Sequence, residues 1–333
     1  MLAVLVINHG TAGATLTCLR ALLAELGDGA RAFVLDNGSG GDDAATLGAF
    51  AALHPERIRF EVSAANLGFA AGMNRLLRLA FANKAIDRVL LLNSDAEPTP
   101  GLIRAMEARL DPASRIELVA ARMLAPKSGN VDSLGIALFR STLASNRKRE
   151  DETLLGPSGG CALITRRVFE HLEAAHGEWF DETFFCYAED TDLAVRARWL
   201  GYRPAFAGDA VVFHAGSLSS GGPDNDFVLY HGIRNSLWWL VKDAPAGWLL
   251  RSLPYFLLLH GGICLRHLRR GRLRVLWRLY RDALAGLPAM WRKRRRIRAT
   301  RCVPAREFAS WVEPHFYERD YVRRAWRELW RGT

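Results

Sequence analysis

Apolar and polar positions along the first 125 residues follow two alternating patterns. Residues 2–7 and 32–35 form short apolar runs of the kind found in buried strands, and residues 58–62 alternate apolar with charged side chains, which also predicts a strand. Residues 11–26 and 44–53 instead carry apolar side chains at helical spacing, in the first case at Leu16, Leu19, Leu22, Leu23 and Leu26. This alternation predicts an α/β domain with a doubly wound, mostly parallel sheet flanked by helices.

The same alternation predicts a fourth and a fifth strand. The loop 66–74 enters a helix, and residues 89–92 then form an unbroken apolar run that ends in Asn93-Ser94-Asp95. Two prolines follow closely and prevent this strand from continuing. A helix over 101–110 and a strand over 117–123 come next, so we expect about five strands in the first half of the chain.

The hydrophobic pattern weakens between residues 125 and 157. Residues 145–153 are polar and charged, which predicts an exposed, mobile loop near the functional site. A glycine-rich turn at 156–160 then leads into a strand, and residues 190–200 predict a helix that ends at Gly201. A last strand over 210–213 delivers His214 to the same region.

The chain changes character after residue 235, where eight of its ten tryptophans lie. We therefore predict one α/β domain over 1–235 and a helical, tryptophan-rich region over 236–333. The net charge of +10 is concentrated there, because residues 266–301 hold fourteen Arg or Lys and a single acid, Asp282. This segment has a balance of +13, so the rest of the chain is at about −3.

Basic amphipathic helices with tryptophan are typical of proteins that lie on anionic membrane surfaces, which we expect for residues 266–301. The stretch 252–265 has no charged residue, but its 14 residues fall short of the ~20 that a spanning helix needs, so it predicts an interfacial helix. One alternative is a helical subdomain packed on the α/β domain with a solvated arginine face. A nucleic-acid partner is not expected, because no recognition module is present.

Composition excludes several classes of protein. Half of the residues are hydrophobic and 24% are charged, as in ordinary globular proteins, so disorder is not expected. The five cysteines show no Cys-x-x-Cys spacing, which argues against a zinc site or a disulfide framework and fits a reducing compartment. The apolar run at the amino terminus is too short for a signal peptide, and we interpret it as the first strand.

Polar side chains follow several predicted strands at the point where each strand ends. Asp36 and Asn37, Asn66, Asp95 and His214 occupy such positions. The carboxyl ends of parallel strands meet at one sheet edge, so these groups should converge, although Asn93 and Asp95 would also serve as simple turn caps. One carboxylate beside a neutral amide is too weak for calcium, but it can hold Mg²⁺ or Mn²⁺ when substrate phosphates supply further oxygens.

The helix that begins near Asp190 carries a cluster of acids at its start. Leu193, Ala197 and Leu200 form its inward face, and Asp192 can pair with Arg196 four residues later. Asp190 precedes the inward face by one turn, so its carboxylate should point into the cleft. The alternative is that these acids only cap the helix.

A set of ordered motifs over residues 1–235 resembles the family-two glycosyltransferases of the GT-A fold. The chain looks most like the rhamnosyltransferase branch, which builds cell-surface polysaccharide. The motifs that carry this resemblance are Val6-Ile7-Asn8, Asp36-Asn37-Gly38-Ser39, Asn66-Leu67-Gly68-Phe69 with Asn74, Leu92-Asn93-Ser94-Asp95 with Pro98, Gly159-Gly160, Phe180-Asp181-Glu182, Glu189-Asp190-x-Asp192-Leu193 and His214.

The resemblance implies a role for each matching residue. Asp95 would be the carboxylate that binds Mg²⁺ or Mn²⁺, and His214 would complete the metal site or meet the diphosphate. The acceptor would contact Gly159, Gly160, Asp181 and Glu182. The nucleotide-sugar donor would contact Asn8, Asp36, Asn37, Ser39, Asn66, Gly68, Asn74, Asn93 and Asp95.

Two positions depart from the family pattern. Asn93 replaces the first Asp of the Asp-x-Asp metal motif, and Ser94 stands where the branch usually has proline, which removes one charge from the metal site. His9-Gly10 stands where Tyr-Asn is commoner in the first loop. The contacts of this loop with the nucleotide are therefore left open.

The reaction implied is an inverting single displacement, in which one carboxylate takes the proton of the attacking hydroxyl. Asp190 is the first candidate for this base and Glu189 the second. The donor would be a nucleotide-diphosphate sugar, with dTDP-rhamnose as the first guess, and the acceptor a glycan or polyprenyl-linked glycan. The enzyme would be cytoplasmic and peripheral on the inner face of the cytoplasmic membrane.

Two other functions fit parts of the sequence. A nucleotidyltransferase would have a similar sheet, but it should carry Arg and Lys in a glycine-rich loop after the first strand, and residues 9–13 have neither. A membrane- or nucleic-acid-binding scaffold with a degenerate transferase site is compatible with the loss of an acid at Asn93.

Overall fold

The computed structural model describes residues 1–216 and 225–319, and its first half alternates strands with helices as the hydrophobic pattern predicts. In chain order these elements are β1 (Leu2–Asn8), α1 (Ala12–Glu25), β2 (Arg31–Asn37), α2 (Asp43–Ala52), β3 (Ile58–Ser63), α3 (Gly68–Phe81), β4 (Arg88–Leu92), β5 (Ala96–Pro98), α4 (Leu102–Glu107) and β6 (Ile116–Leu124).

Among the described residues, the second half contains further strands, two helices of the α/β part and then three longer helices. These are β7 (Val131–Ser133), β8 (Ile136–Phe139), β9 (Ala144–Asn146), β10 (Cys161–Thr165), α5 (Arg166–His176), α6 (Glu189–Trp199), β11 (Arg203–His214), α7 (Asp226–Asp243), α8 (Ala246–Arg269), α9 (Leu273–Thr300) and β12 (Val312–Glu313). Two 3₁₀ helices cover Glu182–Phe184 and Ala305–Trp311.

The main sheet has the strand order β3-β2-β1-β4-β10-β6-β11-β5, with β7 paired to β6. Strands β1 to β4 are parallel, β10 runs antiparallel between β4 and β6, and β11 is parallel to β6. Successive residues of β1 enter different apolar clusters, Val4 beneath α1, α2 and α4, and Leu5 beneath α3, α5 and α6. Both faces of the sheet are covered by helices, which confirms the predicted doubly wound α/β class.

The hydrophobic pattern does not predict the strands in the region after β6. A second sheet of three strands, in the order β12-β8-β9, forms there, and β5 pairs with β11 at the sheet edge despite Pro98. The prediction of an exposed loop over 145–153 is also wrong in part. Arg147 and Glu152 are buried, and the Arg147 guanidinium donates hydrogen bonds to the carbonyl oxygens of Leu134, Glu150 and Glu152.

The C-terminal helices pack on the α/β part through one apolar cluster. In this cluster Trp199 of α6 lies with Trp239 of α7, Met290 of α9 and Phe308 of the second 3₁₀ helix. The boundary predicted at residue 235 falls inside α7, and the apolar contacts continue across it. The C-terminal helices therefore pack on the α/β part through this cluster, and a separate apolar cluster joins α7, α8 and α9 through Leu229, Leu259 and Leu279.

Helix α8 has most of its apolar side chains on its exposed face. Leu250 is 72% exposed, and the positions that follow it at helical spacing are also exposed: Leu253, Leu257, Leu258, Gly261, Leu265 and Leu268. The buried face instead includes Ser252, His260 and His267. The helix has 24 residues. A stretch of 18 of them has a mean hydropathy of 1.3, and only 17% of that stretch is buried. Its length and composition would therefore suffice to cross a membrane, and the 14-residue count understates the apolar helix.

Candidate functional site

One cleft of about 350 Å³ lies at the carboxyl ends of β1, β2, β4 and β11. Its position is the one expected for ligands of an open α/β sheet, because the loops that follow parallel strands meet there. Ten of the residues predicted for the site line it: Asn37, Asn66, Gly68, Asn93, Asp95, Gly159, Gly160, Glu189, Asp190 and His214.

Three loops at one end of the cleft are joined by side-chain hydrogen bonds. The Asn37 amide donates to Asn66 Oδ1 at 3.1 Å and to the Gly68 carbonyl at 3.2 Å, while Asn37 Oδ1 accepts from the Leu67 N–H at 3.0 Å. The His9 ring lies between them, with Nδ1 3.1 Å from the Asn37 carbonyl and Nε2 3.1 Å from the Asn66 amide. The departure at His9 is thus accommodated by contacts with the second and third loops.

Asn8, Asp36 and Ser39 form a buried network behind this wall. The Asn8 amide donates to Asp36 Oδ1 at 2.8 Å and to Ser39 Oγ at 3.0 Å, and it also donates to Asp43 Oδ2 at 2.9 Å. Asn8 and Asp36 are almost completely buried, and neither they nor Ser39 line the cleft. In this arrangement the three residues, which were predicted to contact the donor, hold the loop through hydrogen bonds. Their side chains do not reach the cleft.

Asn74, Asp181 and Glu182 also lie away from the cleft. Asn74 is buried on α3, where its amide donates to the Phe180 carbonyl and to Glu182 Oε1, both at 2.9 Å, and its oxygen accepts from the Phe180 N–H. Glu182 pairs with Arg78 on the outer surface. The chain around Phe180 is fixed by these bonds, so the predicted acceptor contacts of Asp181 and Glu182 would face the wrong side.

Asp181 belongs instead to a buried ionic cluster, which comprises Lys242, Asp181, Asp192, Arg196, Glu178 and Lys293. The Lys242 Nζ lies 2.8 Å from Glu178, 2.8 Å from Asp181 and 2.6 Å from Asp192. Asp192 also pairs with Arg196 at 2.7 Å, which confirms the ion pair predicted from their spacing. Burial opposes ionisation of Asp181, but the charges of Lys242 and Lys293 outweigh it and hold its pKa well below the usual range.

Gly68 brings the backbone of the third loop against the opposite wall. Its φ of +77° is in the left-handed region, and a Cβ there would lie 2.5 Å from the ring and the carbonyl oxygen of Phe185. No side chain larger than hydrogen fits without moving one wall of the cleft. This glycine therefore sets the width of the cleft at that point.

We expect Gly68→Ala to lower the free energy of unfolding by on the order of 2 kcal/mol, because the new methyl group adds both backbone strain and overpacking. Gly232→Ala is the matched control, since Gly232 lies within α7 and has open space around it. That variant should gain roughly 0.5–1 kcal/mol. Urea unfolding of both variants measures the difference, and equal stability of the two would contradict the close approach at Gly68.

His214 bridges two carboxylates at the end of β11. Its Nδ1 lies 2.7 Å from Asp132 Oδ2 and its Nε2 lies 3.1 Å from Asp95 Oδ1. The side-chain nitrogen of Asn93 lies 3.1 Å from the same Nε2. Burial opposes the charged form, but the hydrogen bonds to Asp132 and Asp95 outweigh it and raise the pKa of His214 to about 9. The imidazole therefore carries both ring protons at neutral pH, and a metal that binds Nε2 would displace one of them.

The donor set at Asp95 and His214 fits a divalent cation that is also bound by substrate. A metal-bound histidine usually gives its other ring N–H to a carboxylate, as Nδ1 of His214 does to Asp132. The 3.1 Å between Asp95 Oδ1 and His214 Nε2 is close to the spacing of neighbouring ligands with bonds of ~2.1 Å. Among the described residues no group of three or more His, Cys, Asp or Glu could hold a metal alone, so a diphosphate would supply further oxygens.

Asp190 enters the cleft from the first turn of α6, as predicted. Its Oδ2 accepts a hydrogen bond from the Gly159 N–H at 2.9 Å, and its Oδ1 accepts one from the Thr191 N–H at 2.7 Å. Burial raises its pKa in spite of these bonds. Gly159, predicted to contact the acceptor, thus orients the carboxylate through its backbone.

Glu189 has less compensation for burial than its neighbour. Its Oε2 is buried without a hydrogen-bond partner in the described part of the chain. Burial, followed by the charge of Asp190, raises the pKa of Glu189 well above its usual range. Glu189 therefore favours its protonated form, and Asp190 is the better candidate for a carboxylate that accepts a proton.

The wall opposite Gly68 has a strained backbone that the sequence does not reveal. Phe185, Tyr187 and Ala188 all have positive φ values, 65°, 71° and 65°. The buried Asn235 of α7 holds this segment, because its amide nitrogen lies 2.8 Å from each of the carbonyl oxygens of Phe184, Cys186 and Tyr187. The only signal in the sequence is a lone amide beside the apolar run of α7.

Asp132 is a second functional residue that the sequence analysis missed. It lies on β7, a strand of three residues in the region without a clear pattern, and it lines the cleft beside His214. The charge of His214 holds the pKa of Asp132 below its usual range although burial acts in the opposite direction. No motif marks this position.

Comparison with known proteins identifies the family of the α/β part. The model of the family described as glycosyl transferase family 2 matches residues 3–173. No curated protein sequence matches the chain. The match ends before α6, so it covers the loops after β1, β2, β3 and β4 and leaves out Asp190 and His214.

Three solved structures share the fold at low sequence identity. The mannosyltransferase PcManGT from Pyrobaculum calidifontis, in complex with GDP-Man and Mn²⁺, is 17% identical with a TM-score of 0.55, over 90% of this chain and 85% of that one. S. aureus TarS 1–349 with UDP-GlcNAc is 13% identical, TM-score 0.56, over 93% and 92%. GalNAc-T7 with UDP, GalNAc and Mn²⁺ is 13% identical, TM-score 0.58, over 79% and 50%. These likenesses confirm the predicted GT-A fold.

Proposed function

The chain belongs to glycosyltransferase family 2, and from this premise we propose that it moves a sugar from a nucleotide diphosphate to a glycan acceptor with inversion at the anomeric carbon. One observation carries the proposal. The Asp190 carboxylate, which two backbone N–H groups orient, faces the same cleft as Asp95 and His214. A base for the acceptor and a site for the diphosphate therefore share one cavity.

The reaction is a single displacement. Asp190 takes the proton of the acceptor hydroxyl while that oxygen forms a bond to the anomeric carbon. The bond from this carbon to the diphosphate oxygen breaks, and its electron pair leaves with the nucleoside diphosphate. Because attack comes from the side opposite the leaving group, the configuration inverts and no covalent enzyme intermediate is formed.

The leaving group would lie at the end of the cleft that contains Asp95 and His214. These two residues would hold Mg²⁺ or Mn²⁺, which when bound neutralises charge on the departing diphosphate. Asp132 orients the His214 ring through its hydrogen bond to Nδ1. The nucleoside would lie against the loops joined by His9, Asn37 and Asn66, which line the same cleft.

Aromatic side chains line the end of the cleft opposite Asp95 and His214, which suits that end for binding the acceptor. Phe185, Tyr187 and Phe227 line it, and the rings of Phe185 and Tyr187 each lie about 6 Å from that of Phe227, at 6.3 and 6.2 Å. Apolar ring faces offer surfaces on which the C–H faces of sugars can stack. The strained backbone that Asn235 holds would thus position the acceptor hydroxyl near Asp190.

The C-terminal helices support a peripheral placement on the inner face of the cytoplasmic membrane. The exposed stripe of α8 is apolar, and α9 exposes Leu273, Trp277, Leu284 and Trp291 beside arginines. Such surfaces bind the interface of anionic bilayers. A polyprenyl-linked glycan is an acceptor that this placement would bring to the cleft.

We expect a nucleotide-diphosphate sugar with Mn²⁺ to raise the melting temperature by several degrees, because a ligand at 100 times its Kd stabilises the folded state by about 2.7 kcal/mol. The donor that we place first is dTDP-rhamnose, tested by thermal unfolding beside UDP-GlcNAc and GDP-mannose. Asp95→Asn should lose most of the Mn²⁺-dependent part of the shift. Failure of every nucleotide to protect the wild-type protein would refute the proposed activity.

A further inference from the structure

A second cavity of about 230 Å³ lies at the junction of α7, α8 and α9, at the end of α6 remote from Asp190. It is lined by the first turn of α8, at Ala246 and Gly247, and by Arg294, Arg298 and Arg301. Pro245 precedes this turn as the N-cap residue, and no side chain caps the helix. The N–H groups at the start of a 24-residue helix therefore face a cavity with three cations.

Arg294 is a buried cation on the wall of the cavity. It is 4% exposed, and its Nη1 donates to the carbonyl oxygens of Val241 and Ala244 at 2.7 and 2.6 Å. Its Nε has no hydrogen-bond partner within the described ranges 1–216 and 225–319. A buried guanidinium with an unused donor is unfavourable unless an anion completes it.

The three arginines around the cavity have no direct carboxylate partner. None of them forms an ion pair in the part of the chain that the structure describes, and Arg301 stacks on the Trp199 ring at 5.0 Å. Asp243 is the acid among the described residues that line the cavity, and its charge acts on Arg294. Burial, followed by the charge of Asp192, raises the pKa of Asp243 well above the usual range, which favours its protonated form and weakens the repulsion of an anion.

The cavity opens beside the exposed apolar stripe of α8. Gly247 lies three residues before Leu250, so the helix start and the first leucine of the stripe share one face. An oxyanion at the helix start would therefore have hydrocarbon surface directly beside it. This combination matches a phospholipid, which carries a phosphate and acyl chains in one molecule.

We propose that this cavity binds the phosphate of an anionic phospholipid while the acyl chains lie along the stripe of α8. The inference rests on the proposed membrane placement and adds a defined headgroup site to it. It predicts that the protein is held on the bilayer in one orientation, by the start of α8, instead of by a diffuse basic surface.

The test compares vesicle binding of Arg298→Gln with that of Arg295→Gln, an arginine of the same helix that does not line the cavity. Sedimentation with phosphatidylcholine vesicles containing phosphatidylglycerol should show a loss of at least ~10-fold in affinity for Arg298→Gln, the size expected for a hydrogen-bonded charge. Arg295→Gln should lose no more than about fivefold, as for one surface cation. Equal losses would overturn the headgroup site and leave the membrane placement standing.

Gly247→Glu provides a second variant that should fold normally. Gly247 has open space around its Cα, and a carboxylate in the first turn of a helix is favourable. The new carboxylate would occupy the anion site, so we expect an unchanged or higher melting temperature together with loss of binding to the anionic vesicles. Wild-type affinity in this variant would overturn the proposal.

Inorganic phosphate distinguishes a lipid from a soluble anion. With ionic strength matched by sodium chloride, phosphate should protect the protein against thermal unfolding far less than the anionic vesicles do. Protection by phosphate as strong as that by vesicles would assign the cavity to a soluble anion and refute the lipid. Absence of wild-type binding to any vesicle would refute the membrane placement itself, whereas sugar transfer to a soluble acceptor tests the enzyme separately.

Discussion

Asp190→Asn should lower the rate of sugar transfer by about 10²- to 10⁴-fold, the range that a positioned general base supplies. The asparagine oxygen can still accept a backbone hydrogen bond from Gly159 or Thr191, so the shape of the cleft is retained. What is lost is the ability to take the proton of the acceptor hydroxyl. The affinity for the nucleotide should change little, because the donor lies against other loops.

Single-turnover transfer, with nucleotide affinity measured by calorimetry on the same samples, checks this expectation. Glu189→Gln is the matched control, since burial favours the protonated form of Glu189 and the amide analogue keeps the charge and shape of that form. That variant should retain most of the activity. A normal rate for Asp190→Asn, or a collapse limited to Glu189→Gln, would remove Asp190 from the role of base.

The pH dependence follows from the direction of the pKa shift at Asp190. Burial raises this pKa, so the active carboxylate form is lost on acidification at a higher pH than an ordinary aspartate would require. We expect the transfer rate to fall on the acid side with a midpoint above ~4, the usual value for Asp. A rate that stays constant down to that pH would contradict a buried base.

Lys242→Met should destabilise the protein by about 3–5 kcal/mol, the range observed when one partner of a buried ion pair is removed. Lys242 is fully buried between Asp181 and Asp192. Without its ammonium group the two carboxylates are left in an apolar region with less compensation. The methionine has nearly the same volume, so the loss comes from charge and not from a cavity.

Lys293→Met is the control for this prediction. Its side chain is 28% exposed and contacts Glu178 and Asp181, so water can replace part of its contribution. Urea unfolding should show a smaller loss than for Lys242→Met, and adding Asp181→Asn to Lys242→Met should recover part of the stability. Equal losses for the two lysines would show that burial of Lys242 is not the source of the effect.

Most of the first half of the fold could be predicted because its determinants are local. Strands β1, β2 and β4 are apolar runs buried on both faces, and the spacing of Leu193, Ala197 and Leu200 predicts α6 together with its Asp192–Arg196 pair. These patterns reflect contacts between neighbours in sequence. The ends of β1 to β4 and β6 agree with the prediction within one or two residues, whereas α4 is shorter than the predicted helix.

The parts that could not be predicted depend on contacts between residues distant in sequence. Arg147 and Lys242 are charged, so a hydropathy pattern predicts that they lie on the surface. They are buried instead, because carbonyl groups and carboxylates from other elements bind their charged groups. Asp132 sits on a strand of three residues, too short to leave a pattern. Such burial is decided by tertiary partners, which one sequence does not display.

Ten of the candidate residues lie in one cleft at the strand ends, while the role of each residue stays a prediction. Residues at strand ends converge as expected, because the parallel sheet brings them to one edge. Asn8 and Asp36 share that edge but satisfy each other by hydrogen bonding, and motif position alone does not separate a buried support from an exposed ligand contact. Geometry makes that distinction.

The contact of Asn235 with the wall of the cleft limits which segments of the chain can be exchanged with those of a related enzyme. Its amide lies on a helix outside the family-matched segment, yet it locks three carbonyl groups beside the acceptor end. A chimera that exchanges the chain from the start of α7 onwards would transplant this contact together with the helices that we propose to lie on the membrane. Under that proposal, acceptor choice and membrane attachment would be inherited as one unit, instead of as separable modules.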